Sequence, residues 1–166
     1  MVLLAMLLTA CSSAPHDGTK TSLIDNALWQ ESAVEGDPLI EHQPETISCS
    51  SGAWGLEDGS LEVETGLCNY LNLSQPSLGE VAAGDSISLV TWHAQLWDEE
   101  AAEAHMAVLF EDVIAWQTTI PIPADPGVFD LDFEAPAALA VGASIQLHLH
   151  NHGSNTWNFL ELAQQL

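Results

Sequence analysis

The run His148-Leu149-His150-Asn151-His152 places three imidazoles within five residues. On a strand, His148 and His150 share a face, about 6.6 Å apart along the chain. Ile145, Leu147 and Leu149 take the alternate positions and point to a core, so the histidines are expected to face outward together. Metal–nitrogen bonds of about 2.0–2.1 Å let two such rings converge on one ion. A third ligand would come from His152 or from a neighbouring strand, where His93 and His105 are available. Imidazole sets of this kind suit Zn²⁺ or Cu²⁺. The same pattern also fits an exposed strand face running into a turn, with no ligand.

Six tryptophans against one tyrosine form the second set. An exposed indole offers a flat apolar face to a sugar ring, while nearby amides and carboxylates bind the hydroxyls. Trp157 and Trp97, with Asn151 and Asn155, are the residues expected to make such a site, and Asn158 lies beside Trp157. The competing expectation buries these indoles, Trp54 and Trp116 included, with each N–H satisfied. Trp92 and Trp97 are an odd number of residues apart, so one uninterrupted strand would send them to opposite faces.

Acids make the third set. Asp130, Asp132 and Glu134 alternate, as do Glu62 and Glu64, and Glu57-Asp58-Gly59-Ser60 reads as a turn rich in oxygens. Ca²⁺ takes 6–8 oxygens, mostly from loops, and no EF-hand spacing occurs. Alternating acids otherwise suit a solvated strand face. No G-x-S-x-G elbow, P-loop or H-E-x-x-H motif is found, so the residues favour a binding protein over an enzyme.

Strands must position these groups. Asp85–Trp97 is β-branched and aromatic after Gly84, and His105–Ile122 is apolar with a turn expected at Glu111-Asp112. Val128–Glu134 alternates apolar and acidic residues, which predicts a half-buried antiparallel strand. Ile145–His150 and Thr156–Leu162 follow, separated by the turn cluster Asn151–Asn155. Asp98–Ala104 is expected to be a connecting loop or single turn. The fold class is therefore all-β: an antiparallel β-sandwich, jelly-roll in type, over residues 44–166. Residues 11–43 read as a flexible tether, with one short helix predicted over Ser22–Gln30 from the Ser22/Asp25 spacing.

Twenty-four acidic residues face one Lys, Lys20, and no Arg, for a net charge of −23. Phosphate backbones are held by Lys and Arg, so nucleic acid is excluded as a partner. Cations or basic ligands would be attracted, and the charge also serves solubility. Residues 1–10 hold an apolar run too short for a bilayer, which needs about 20 residues. Leu8-Thr9-Ala10-Cys11 resembles the lipobox of bacterial lipoproteins, although no Lys or Arg precedes the apolar run. The resemblance implies cleavage before Cys11, lipid on its thiol and, with Ser12 following, an outer-membrane anchor. Cys49 and Cys68 then remain as a pair, and export favours their disulfide.

The sandwich strands with their indoles and amides resemble jelly-roll carbohydrate-binding modules, which implies a glycan ligand and, in some, a structural Ca²⁺. Gly142 ahead of His148-x-His150 resembles the opening of the first cupin motif, but Ser154 and Asn155 stand where its acid is expected. Three functions follow: a lipid-anchored glycan binder, a histidine-based metal-binding lipoprotein, and an acidic envelope protein without a small ligand.

Overall fold

A computed structural model describes residues 18–33 and 37–166. Residues 1–10 and Cys11, where a leader and a lipid anchor are expected, lie outside the described residues. Eleven strands are present among the described residues. They are β1 (Lys20–Ser22), β2 (Gln30–Glu31), β3 (Trp54–Glu57), β4 (Ser60–Glu64), β5 (Tyr70–Pro76) and β6 (Ser86–His93). Then come β7 (Ala102–Phe110), β8 (Val113–Ile122), β9 (Gly127–Glu134), β10 (Ser144–Asn151) and β11 (Thr156–Gln165). One sheet runs β3-β4-β11-β6-β9, with β1 also paired to β11; the other runs β2-β5-β10-β7-β8. Every pairing is antiparallel. The two sheets form a jelly-roll β-sandwich, as the strand pattern predicts.

Alternation decides what each strand buries. Leu71 and Leu73 of β5, Met106, Val108 and Phe110 of β7, and Ile145, Leu147 and Leu149 of β10 enter the core from one sheet. Leu61 and Val63 of β4, Ile87 and Leu89 of β6, and Trp157 and Phe159 of β11 enter from the other. A bulge between Phe159 and Glu161 shifts the phase, so Leu162 resumes the inward row. Tryptophans close both seams between the sheets. The Trp54 indole donates to Glu31 Oε1 at 3.0 Å, joining β3 to β2. Trp116 of β8 meets Phe129 of β9 edge to face, with centroids 5.4 Å apart. The expected turn at Glu111-Asp112 forms, and Cys49 is bridged to Cys68. In the chain-entropy account that closure contributes about 3 kcal/mol.

The expected tether departs from the structure. Residues 20–31 supply β1 and β2, and Leu23, Ile24 and Trp29 are buried in the core. Strands of two or three residues carry too little periodicity to be read alone; they exist because β11 and β5 offer free edges. The predicted helix over Ser22–Gln30 is absent. Its capping residues instead bond nearby backbone: Ser22 Oγ to the Ile24 carbonyl at 2.7 Å, and Asp25 Oδ1 from the Ala27 N–H at 2.9 Å. Short polar side chains make such turns in competition with helix. Residues 37–43, also assigned to the tether, cross the outer face of the five-stranded sheet, where Leu39 packs on Ala107 and Leu109.

Candidate functional site

The outer face of the β3-β4-β11-β6-β9 sheet presents one row across five strands: Gly55, Glu62, Asn158, Trp92 and Val128 are successive partners. Trp92 faces out because Ile87, Leu89, Thr91 and His93 of β6 take the inward positions, and its indole is half-buried. The β3–β4 turn raises a rim beside it. Asp58 and Gly59 both have positive φ, +48° and +87°, the two-residue hairpin geometry that favours Asp-Gly. Glu57, Asp58, Ser60, Glu62, Trp92 and Asn158 bound a cleft of about 530 Å³. A shallower hollow of about 350 Å³ adjoins it over Gly55 and shares Glu57 and Glu62.

The polar groups of this face are mutually oriented. Ser60 Oγ donates to Asn158 Oδ1 at 2.9 Å, and Asn158 Nδ2 reaches Glu62 Oε2 at 3.4 Å. Thr156 Oγ1 donates to Glu64 Oε1 at 2.8 Å. The neighbouring Glu57 carboxyl first, and then some desolvation, raise the Glu62 pKa above the ordinary glutamate value. Further out, Lys20 Nζ sits 2.6 Å from Glu161 Oε1 and donates to Ser88 Oγ at 2.9 Å. That contact holds its pKa above the usual lysine value.

The outer face of the five-stranded sheet carries the histidines. His148 and His150 of β10 share the side opposite Ile145, Leu147 and Leu149, as alternation predicts. They are not openly exposed. His148 is fully buried, because residues 37–43 cover it. Asp37, itself buried, accepts from His148 Nδ1–H at 2.9 Å, from the Tyr70 hydroxyl at 2.6 Å and from the Leu39 N–H at 2.8 Å. Burial works against the Asp37 charge, but these three donors outweigh it and hold its pKa below the usual aspartate value. Burial and the Asp37 charge push the Tyr70 hydroxyl well above the ordinary phenol value.

His105 of β7 is the direct cross-strand partner of His150. Its Nε2 lies 3.2 Å from Gln117 Oε1, and the His42 ring stacks on it at 3.8 Å. The His105 and His148 centroids are 5.2 Å apart. Desolvation lowers the His105 pKa, and the neighbouring rings add to that effect. Desolvation first, then His152, His148, His42 and His105, bring His150 down to about 4. His105 and His150 are therefore neutral near pH 7, with one ring nitrogen of each lacking a proton. Among the described residues, Nδ1 of His105, Nε2 of His148 and Nε2 of His150 are buried without a hydrogen-bond partner. A cleft of about 600 Å³ opens beside them, lined by Glu41, His42, Glu103, His105, His150 and His152.

The five histidines expected as ligands are split by the fold. His105, His148, His150 and His152 lie on or beside the five-stranded sheet. His93 points into the sandwich from β6, packs on Trp157 with centroids 4.8 Å apart, and bonds the Ala94 carbonyl through Nδ1 at 2.8 Å. Among the described residues, no three His, Cys, Asp or Glu side chains already gather around a common metal position.

The expected glycan residues are placed differently again. Trp157 is buried, and its indole N–H donates to Asn151 Oδ1 at 3.0 Å. Asn151 Nδ2 donates to Thr65 Oγ1 at 3.0 Å. Asn155 is also buried; its Oδ1 accepts the Trp97 N–H at 2.7 Å, and its Nδ2 donates to the His152 carbonyl at 2.8 Å. These amides satisfy the backbone of a turn packed into the end of the sandwich, so they offer nothing to a ligand. At Gly153 a Cβ would run into the Trp97 carbonyl, which shows how tightly that turn is seated. Of the predicted set only Trp97 is exposed, at 54%, and its neighbours are occupied in this network. The outward Trp92 was within reach of the sequence: Ile87 and Leu89 fix the inward phase of β6, and Trp92 is out of that phase.

No family model matches this chain, and no curated protein does. Solved structures do resemble it. The carbohydrate-binding module described in "CBM4 structure and function" is 13% identical, with a TM-score of 0.43 over 73% of this chain and 81% of that one. The module TmCBM61, solved with β-1,4-galactotriose, is 9% identical, with a TM-score of 0.40 over 87% and 97%. The Agl-KA catalytic domain is 13% identical, with a TM-score of 0.46 over 98% of this chain and 30% of that one. The likeness is one of sheet architecture, and no residue role is carried over from it.

Proposed function

We propose that this chain is an exported module, held at the outer membrane by lipid on Cys11, that binds a neutral glycan on the face carrying Trp92. The observation that carries the reading is the partly exposed Trp92 indole on the outer face of this sheet, lining a cleft with Ser60, Asn158, Glu57 and Glu62. An indole face supplies apolar contact to a pyranose ring, and carboxylates accept from its hydroxyls. The acids of this face, Glu57, Asp58, Glu62 and Glu64 among them, repel uronic or sulfated sugars, so the ligand is an uncharged sugar. The role is binding rather than turnover.

The test uses the full processed chain in detergent against an array of neutral and acidic oligosaccharides, followed by calorimetry on the best neutral hit. Trp92→Ala is expected to weaken binding about tenfold or more, about 1.4 kcal/mol, and Trp97→Ala to leave it unchanged. Binding that survives Trp92→Ala, or a preference for polyuronates, contradicts the reading. Mass spectrometry of the envelope fraction checks the anchor: a diacylated or triacylated Cys11 at the N-terminus is expected, and an intact leader refutes it.

A further inference from the structure

Buried polar atoms in folded proteins almost always have partners, and each exception calls for a cause. Among the described residues, three of the exceptions are ring nitrogens on one face of one sheet: His105 Nδ1, His148 Nε2 and His150 Nε2. Two of them belong to rings already fixed through the opposite nitrogen. His148 Nδ1–H donates to Asp37, and His105 Nε2–H donates to Gln117 Oε1. A histidine that ligates a metal is held in this way: the second nitrogen donates to a carboxylate or carbonyl, which fixes the tautomer and leaves the first basic.

Spacing agrees with that role for the His105–His148 pair. With nitrogen about 2.0–2.1 Å from a tetrahedral ion, two imidazole centroids fall roughly 5 Å apart. His105 and His148 stand at 5.2 Å. His150 lies directly across from His105 and on the same face of β10 as His148. Its ring leans toward His152, with centroids 4.8 Å apart, and among the described residues no side-chain hydrogen bond holds it; the three rings share a point only once it turns toward His105 and His148. The adjoining cleft gives a way in, and Glu41 and Glu103 on its lining draw cations toward it.

We propose that His105, His148 and His150 form a binding site for one divalent transition-metal ion of the Zn²⁺ or Cu²⁺ class, with Asp37 and Gln117 as positioning residues. Neutral nitrogen donors set this site apart from a Ca²⁺ site, which needs oxygens. The ion would also replace the missing hydrogen bonds of the three nitrogens.

Calorimetry on untagged, chelator-treated protein, titrated with ZnCl₂ and separately with CuCl₂, tests the proposal. One ion per chain with a dissociation constant in the micromolar range or below is expected. His105→Gln and His148→Gln should each weaken binding at least tenfold, and Asp37→Asn by about 10–100-fold. His152→Gln and His93→Gln should change it less than twofold. No heat and no melting shift with either ion overturns the proposal, as does binding that depends on His152 alone. Should a variant fail to fold, the wild type decides by NMR. Loss of the His105 and His148 ring signals at one equivalent of Cu²⁺ supports the site, and loss confined to His42 and His152 overturns it.

Discussion

On the β3-β4-β11-β6-β9 sheet, Asn158 is buried and yet bonded to Ser60 and Glu62. On the β2-β5-β10-β7-β8 sheet, Asn72 is buried with neither amide atom partnered among the described residues, and His105, His148 and His150 each keep a bare nitrogen. Both faces are built from antiparallel strands with the same two-residue alternation. They differ in cover: one is open to water, and the other is crossed by residues 37–43, which desolvate what lies beneath. An open face can hold carboxylates and a half-exposed indole at little cost. A covered face requires partners, and where the chain does not supply them a ligand is the physical remedy. That contrast in cover is the physical ground for the two proposals, a neutral sugar on the open face and a divalent cation beneath the covered one.

The largest expected effect separates two tryptophans. Trp157→Ala should cost about 3–5 kcal/mol, since it opens the core and strands Asn151. Trp92→Ala should cost about 1 kcal/mol or less, while weakening glycan binding about tenfold or more. Urea melts of the two variants measure this. Equal losses would mean that Trp92 is a packing residue and that the open face has no special role.

Acid should act on the faces with opposite sign. His105 and His150 have folded pKa values below their unfolded ones, so the unfolded chain takes up protons first. Their stabilising share is complete above about pH 6.5 and is lost as pH falls toward 4. Asp37, also lowered, adds a further loss below the ordinary aspartate value. Glu62 runs the other way: its folded pKa is raised, so its contribution worsens as pH rises through 4.5 and beyond. Melting temperatures of chelator-treated protein from pH 7 to 4 should fall for the wild type and fall less for His150→Gln. Glu62→Gln should be slightly more stable than wild type at pH 7, with the gap closing near pH 4. A flat profile, or a Glu62→Gln penalty at pH 7, would break the contrast.

The smallest effect is expected at Lys20, whose pairing with Glu161 is largely solvated. Lys20→Gln should cost less than about 1 kcal/mol by chemical denaturation, and less again in high salt.

Much of this was legible in the sequence, and the rest was not for definable reasons. Strands β6 to β11 and the Glu111-Asp112 turn follow from alternation and turn residues, and the outward side of His148 and His150 follows from Leu147 and Leu149. What alternation cannot show is cover. Asp37 reaches His148 across 111 positions, so nothing near the histidines reports that they are buried. The error at Trp157 is of another kind. Trp157 and Phe159 share the inward phase of β11, but the neighbouring Asn151, Asn155 and Asn158 suggested a polar pocket. Two of those amides serve the turn itself, and a turn rich in Asn is as ready to satisfy its own backbone as to bind a sugar.

The division of labour between the faces is tested most directly by one two-dimensional NMR experiment on selectively labelled protein, following the Trp92 indole N–H and the histidine ring protons. Adding a neutral oligosaccharide should move the Trp92 signal and leave His105, His148 and His150 in place, and adding Zn²⁺ should do the reverse. Oligosaccharide shifts centred on the histidines, with Trp92 unmoved, would contradict the account.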